Sequence, residues 1–177
     1  KRFFKVSLAI DLLYFNTTKP MLLAGEMMQN MLGCETQSYD LNFFMKGMVA
    51  KTEIKGLETV KEQYGFLDSI PYKKQAAMLL QSMRDFSASK KELNDMIQLY
   101  KTQDITALQK MFEEQGDDLT EFLPLLLADR NKRWIPQLET YMKTAPSFIA
   151  VGAGHLGGSD GVLNLLRARG YKVKPVM

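Results

Sequence analysis

Apolar residues recur at helical spacing in the middle of the chain. Four of them fall at positions i, i+3, i+4 and i+7, which places their side chains on one face of an α-helix: Leu93, Met96, Ile97 and Tyr100. Ser89 followed three residues later by Glu92 is a capping-box pattern. The pattern predicts an amphipathic helix that begins near residue 89.

The following segment predicts two more helices. Asp104 precedes an apolar stripe, and Gly116 is placed to end that helix in a left-handed conformation. Asp118 with Glu121 is another capping pattern, which predicts the start of a third helix. Residues 130–142 either continue this helix or form a separate one after it. Pro136 within this stretch predicts a break or a kink.

Two prolines mark helix starts earlier in the chain. Pro20 precedes a predicted helix over residues 21–31, and Pro71 suits the first turn of a helix that runs to about residue 86. Together these patterns predict a helical arm over residues 60–145.

Three short runs are β-prone, at residues 54–57, 148–151 and 171–176. They are apolar without clean alternation, as expected of strands that are covered on both faces. The sequence therefore predicts an α/β fold, with a small, mostly parallel sheet and a large helical arm, helix being in excess. A missing amino-terminal part would supply partner strands.

Composition narrows the class of protein. The chain has 177 residues, of which 46% are hydrophobic, so residues 1–177 are most simply one domain. Its 23 basic and 20 acidic residues give a net charge of +3, too small and too dispersed to indicate nucleic-acid binding. No apolar run is long enough to predict a membrane span. Cys34 is the only cysteine, which excludes an intrachain disulfide and a cysteine metal cluster.

The only histidine, His155, follows the second β-prone run. In open α/β sheets ligands bind at the carboxyl ends of the strands, and a neutral imidazole there suits a metal ligand or a proton shuttle. Gly152, Gly154 and Gly158 allow the turn around it backbone conformations that other residues resist. The alternative is a surface or capping histidine in a flexible glycine loop.

Glu58 occupies the same kind of position after the first β-prone run. Thr59 with Glu62 three residues later can cap a helix there, so Glu58 lies at a strand-to-helix junction. If Glu58 and His155 face one cleft, they could share a divalent metal, since carboxylate and imidazole suit Mn²⁺, Co²⁺ or Zn²⁺. The alternative is a solvated glutamate near a helix start.

The carboxyl-terminal stretch carries a wider motif that begins with Gly152, two intervening residues and His155. It resembles the TraB/GumN family of the EreA/ChaN-like superfamily, which includes the TIKI Wnt-cleaving metalloproteases. The residues that match after these two are Leu156, Gly158, Gly161, Leu165, Leu166, Gly170, Tyr171 and Val173. Residues 54–63 and 126–135 match further segments of the family in the expected order.

The resemblance implies a metal-dependent hydrolase of a peptide or a small molecule. His155 and Glu58 would hold the metal, and Arg130, at the family's Arg-Asn position, would be catalytic; Arg133 is the competing arginine. The alternative is a non-catalytic interaction or regulatory module.

The family's earlier G-x-x-H motif and the acidic residue after it are not in this sequence, which opens at Lys1. We therefore expect a fragment that is inactive alone and that needs the amino-terminal part of the same protein as its partner. A signal peptide on that part would place the protein in the periplasm or outside the cell.

Overall fold

The computed structural model describes residues 17–114 and 120–176, and the regular secondary structure in these ranges is helical. The α-helices are α1 (Pro20–Leu32), α2 (Tyr39–Ala50), α3 (Val60–Asp68), α4 (Tyr72–Arg84), α5 (Phe86–Lys101), α6 (Ile105–Glu114), α7 (Asp129–Thr144) and α8 (Val162–Ala168). Short 3₁₀ turns lie at Thr120–Phe122 and Ala153–His155, and a π-helical segment, Pro124–Ala128, leads directly into α7. The predicted helical character is confirmed.

The predicted α/β fold is wrong, because the described residues contain no strand and no sheet. Residues 54–57, 148–151 and 171–176 form neither helices nor ladders with one another. Five of their side chains are instead partly buried on the core of α7 and α8: Leu57, Ile149, Val151, Tyr171 and Val173. A β-prone run becomes a strand only when a partner strand completes its backbone hydrogen bonds. Here the apolar character of these runs serves packing against helices.

Several helix boundaries follow from local capping. Both hydrogen bonds of the predicted capping box are present at Thr59, which accepts from Glu62 N at 3.2 Å and donates its own backbone N–H to Glu62 Oε2 at 2.7 Å. Asp104 Oδ1 accepts from Ala107 N at 2.9 Å and starts α6 as predicted. The predictions for Gly116 and Asp118 lie outside the described residues.

Three expectations about helices were wrong or incomplete. Helix α5 begins at Phe86, so Ser89 lies in its first turn, with its backbone N–H bonded to Asp85 O. Pro136 does not break α7, which runs through it without interruption. Since Pro136 and Lys132 are both exposed, solvent can hydrate the Lys132 carbonyl that loses its helical donor. Helix α2 was not predicted.

The structure has two apolar cores. The first lies between α1, α4 and α5 and contains the buried residues Leu23, Met27, Met31, Leu79 and Leu93. The second lies between α7 and α8 and contains Trp134, Ile135, Leu138, Val162 and Leu166. Helix α6 contacts both α5 and the 3₁₀ turn at residues 153–155. No helix in the described part of the chain is long and apolar enough to cross a membrane.

Candidate functional site

Arg130 and Glu58 meet at the start of α7. Arg130 Nε donates to Glu58 Oε2 at 3.1 Å, and Nη2 donates to Glu58 Oε1, so the guanidinium binds the carboxylate at both oxygens. Arg130 Nη1 also donates to Leu126 O at 3.0 Å. The two side chains are only 13% and 14% exposed. Because 72 residues separate them in the sequence, this pair joins the loop before α3 to the beginning of α7.

His155 lies next to the following residue of α7. The His155 Nδ1 atom is 2.6 Å from Asn131 Oδ1, and both residues are buried. Asn131 Nδ2 donates to His155 O at 3.3 Å and to Asp160 O at 2.8 Å, which identifies Oδ1 as the acceptor. Nδ1 of His155 therefore carries the proton, and Nε2 carries the lone pair. No described residue makes a hydrogen bond to Nε2.

Trp134 connects the histidine to the arginine. Its ring centroid is 4.5 Å from that of His155, and Arg130 Cζ lies 5.0 Å from the Trp134 ring. Arg133, the competing arginine, is exposed and shares only the Phe66 ring with Arg130, at 4.7 Å and 5.6 Å from the two Cζ atoms. The indole N–H of Trp134 is buried without a hydrogen-bond partner among the described residues. Of the two arginines, Arg130 is therefore the one that lies against the same Trp134 ring as His155.

The surroundings of His155 disfavour the imidazolium form. The pKa of His155 is lowered to about 4, chiefly by burial and also by the Arg130 cation, while the Glu58 carboxylate opposes the change. Desolvation acts in this direction because a charged imidazole loses more hydration than a neutral one. At neutral pH the imidazole is therefore uncharged, and Nε2 keeps its lone pair.

The turn that holds His155 depends on glycine at particular positions. Gly158 has φ +77°, which favours glycine, and a Cβ there would lie 3.1 Å from the Gln109 side chain. Gly152 and Gly154 are different, since a Cβ at either would make only ordinary contacts, the nearest at 3.7 Å. Gly161 has the tightest surroundings, because a Cβ would lie 2.1 Å from Gly157 O.

The described residues do not form a metal site by themselves. They contain no group of three His, Cys, Asp or Glu side chains placed to hold a metal ion. His155 Nε2 suits Mn²⁺, Co²⁺ or Zn²⁺, because the tautomer set by Asn131 leaves its lone pair free. Both oxygens of Glu58 accept hydrogen bonds from Arg130, but each oxygen keeps a second lone pair, so the role of Glu58 as a metal ligand stays a prediction.

The sequence predicted Glu58 and His155 as ligands of one metal and Arg130 as a catalytic residue. The structure joins Arg130 to Glu58 directly and to His155 through Trp134. Sequence reasoning missed Asn131 and Trp134 as site residues. The available signal was spacing, since Arg130, Asn131 and Trp134 lie within one and a half turns of a predicted helix.

The comparison with protein families agrees with the motif. The model of the TraB/PrgY/gumN family matches residues 5–175. The chain therefore belongs to the TraB/PrgY/gumN family, and the resemblance is confirmed. No curated protein and no solved structure matches it significantly.

Proposed function

We propose that this chain carries part of the active site of a metal-dependent hydrolase, acting on a peptide or a related acyl substrate. The observation that supports this most is the state of His155. Its imidazole is neutral at physiological pH, its Nδ1 proton is held by Asn131 at 2.6 Å, and its Nε2 is available. Metal-binding histidines are oriented in this way, by a hydrogen bond from the second ring nitrogen.

The low basicity of His155 favours a ligand over a general base. A general base works best when its pKa is near the operating pH, and the pKa of His155 is lowered to about 4. At neutral pH protons do not compete for Nε2, so metal binding there requires no proton release. A divalent metal would act as a Lewis acid and lower the pKa of a bound water molecule. The remaining ligands would come from groups outside the described residues.

Arg130 is the residue that would stabilise negative charge. Its guanidinium is partly buried between Glu58, Trp134 and Leu126 O, so its orientation is set before a substrate arrives. A preoriented cation of this kind stabilises a developing oxyanion more than a solvated one does. Glu58 would then keep Arg130 in position and offset its charge beside the metal.

Binding of Co²⁺ or Mn²⁺ to the protein tests the proposal directly. Since His155 is the only histidine, its imidazole gives a single set of NMR signals that a paramagnetic ion at Nε2 would broaden or shift. We expect this effect in this chain and its loss in His155→Gln, whereas metal-dependent hydrolysis of fluorogenic peptides would require the remaining ligands as well. Lys90→Gln, on the exposed face of α5, is the matched control. Unaffected imidazole signals at saturating metal would overturn the proposal.

A second candidate function is an interaction module without catalysis. Helix α2 favours it, because none of its residues is buried and seven large hydrophobic side chains are exposed: Tyr39, Leu41, Phe43, Phe44, Met45, Met48 and Val49. Exposed apolar patches of this kind are typical of interaction surfaces. Metal-independent behaviour of His155 in the NMR experiment would favour this function.

A further inference from the structure

A cavity of about 480 Å³ lies beside the His155 turn, between α6 and the turn itself. Apolar side chains from both elements line it: Ile105, Leu108, Val151 and Leu156. Leu108 is only 6% exposed. The imidazole of His155 contacts α7 and does not line the cavity. The cavity is therefore a separate place from the candidate site.

The walls of this cavity are held by close packing. A Cβ at Gly157 would lie 2.8 Å from Ile105 Cγ2 and 3.1 Å from Ile105 O, so the turn and α6 touch directly. This contact keeps the two walls at a set distance. Preformed clefts of several hundred Å³ with apolar walls are typical of small-molecule sites.

The rim of the cavity is polar and carries one available positive charge. Tyr39 and Tyr100 are 67% and 51% exposed there, and Lys101 lies next to Tyr100. Asp104 also lines the rim, and its negative charge is partly offset by the start of α6, where its Oδ1 accepts from Ala107 N. No described residue forms an ion pair with Lys101. An anionic group at the rim would therefore meet the Lys101 ammonium above an apolar floor.

We propose that this cavity binds an apolar group that carries a carboxylate. The volume suits a ligand the size of a dipeptide or a medium-chain fatty acid. The apolar part would contact Leu108 and Leu156, and the carboxylate would pair with Lys101. The proposal does not depend on metal binding or hydrolysis at His155, because the imidazole faces α7.

Calorimetric titration with matched acids and amides tests this proposal. The probes are N-acetyl-leucyl-leucine and octanoate, each against its amide. We expect at least one acid to bind, and its amide and the Lys101→Glu variant to bind roughly tenfold more weakly or not at all, since charge reversal replaces an attraction by a repulsion. Tighter binding of N-acetyl-leucyl-leucine would identify the ligand as a peptide, and tighter binding of octanoate would identify it as a fatty acid.

Lys90→Glu is the control, because it makes the same charge change on an exposed face of α5, 11 residues before Lys101. Methyl signals of Ile105, Leu108, Val151 and Leu156 should shift on binding. The proposal is overturned if neither acid binds, if acid and amide bind equally, or if Lys101→Glu and Lys90→Glu behave alike. Circular dichroism of both variants checks that they remain folded.

Discussion

Asn131 holds His155 at both its side chain and its backbone. Asn131 Oδ1 is 2.6 Å from His155 Nδ1, and Asn131 Nδ2 is 3.3 Å from His155 O. The side-chain amide of Asn131 can accept from the ring and donate to the carbonyl at the same time. This pair therefore determines both the tautomer of the imidazole and the course of the turn that carries it.

Replacing Asn131 by aspartate should raise the pKa of His155. The carboxylate would place a negative charge beside Nδ1, which stabilises the imidazolium, and would lose the donors to His155 O and Asp160 O. The pH titration of the single imidazole by NMR measures this change. Asn94→Asp, on the exposed side of α5, should leave the pKa as it was. An unchanged pKa in Asn131→Asp would contradict the assigned contact.

His155 should make the protein less stable in acid. Its pKa is lowered from 6.5 to about 4 in the folded state, so the unfolded chain binds the proton more tightly. The free energy of unfolding should be unaffected above about pH 7, fall by roughly 3 kcal/mol as the pH drops from about 6.5 to about 4, and lose nothing further from this group below that. Urea denaturation at several pH values measures it. The difference between the wild type and His155→Gln isolates His155 from the carboxylates.

The Glu58–Arg130 pair should matter for stability because it is largely shielded from solvent. Its side chains are 14% and 13% exposed, so Glu58→Gln should lower the free energy of unfolding by about 2–4 kcal/mol, chiefly by leaving the arginine unpaired. Arg130→Gln in addition should cost less than the sum of the single changes. The exposed pair of Lys91 with Asp95 is the control, and Asp95→Asn should change stability by less than about 0.5 kcal/mol. Equal effects at the two pairs would contradict the buried contact.

Two glycines should respond to alanine in opposite directions. A Cβ at Gly161 would lie 2.1 Å from Gly157 O and 2.4 Å from Leu156 O, so Gly161→Ala must displace the His155 turn. A Cβ at Gly65 meets nothing within 4 Å in α3. Gly65→Ala should therefore raise the free energy of unfolding by about 0.5–1 kcal/mol. Thermal unfolding of the two variants, with the His155 NMR signal as a local probe, checks both directions.

Features that depend on near neighbours in the chain could be read from the sequence. The capping box of Thr59 and Glu62 and the cap of Asp104 involve residues three positions apart, so their hydrogen bonds form whenever the helix does. The family motif around His155 was recognised for a similar reason, since its residues lie in one continuous stretch. Ser89 shows the limit of such patterns, because packing of Phe86 on the first core started α5 earlier.

The sequence by itself determined the helical character, several helix ends and the choice of Glu58, Arg130 and His155. Three features were decided only by the tertiary structure. Arg130 binds the carboxylate of Glu58, and Asn131 sets the tautomer of His155. Residues 54–57, 148–151 and 171–176 lie against helices and form no sheet among the described residues. The reason is physical. A cap is completed within one helical turn, whereas an ion pair across 72 residues and a strand ladder both require a partner that packing alone brings into place.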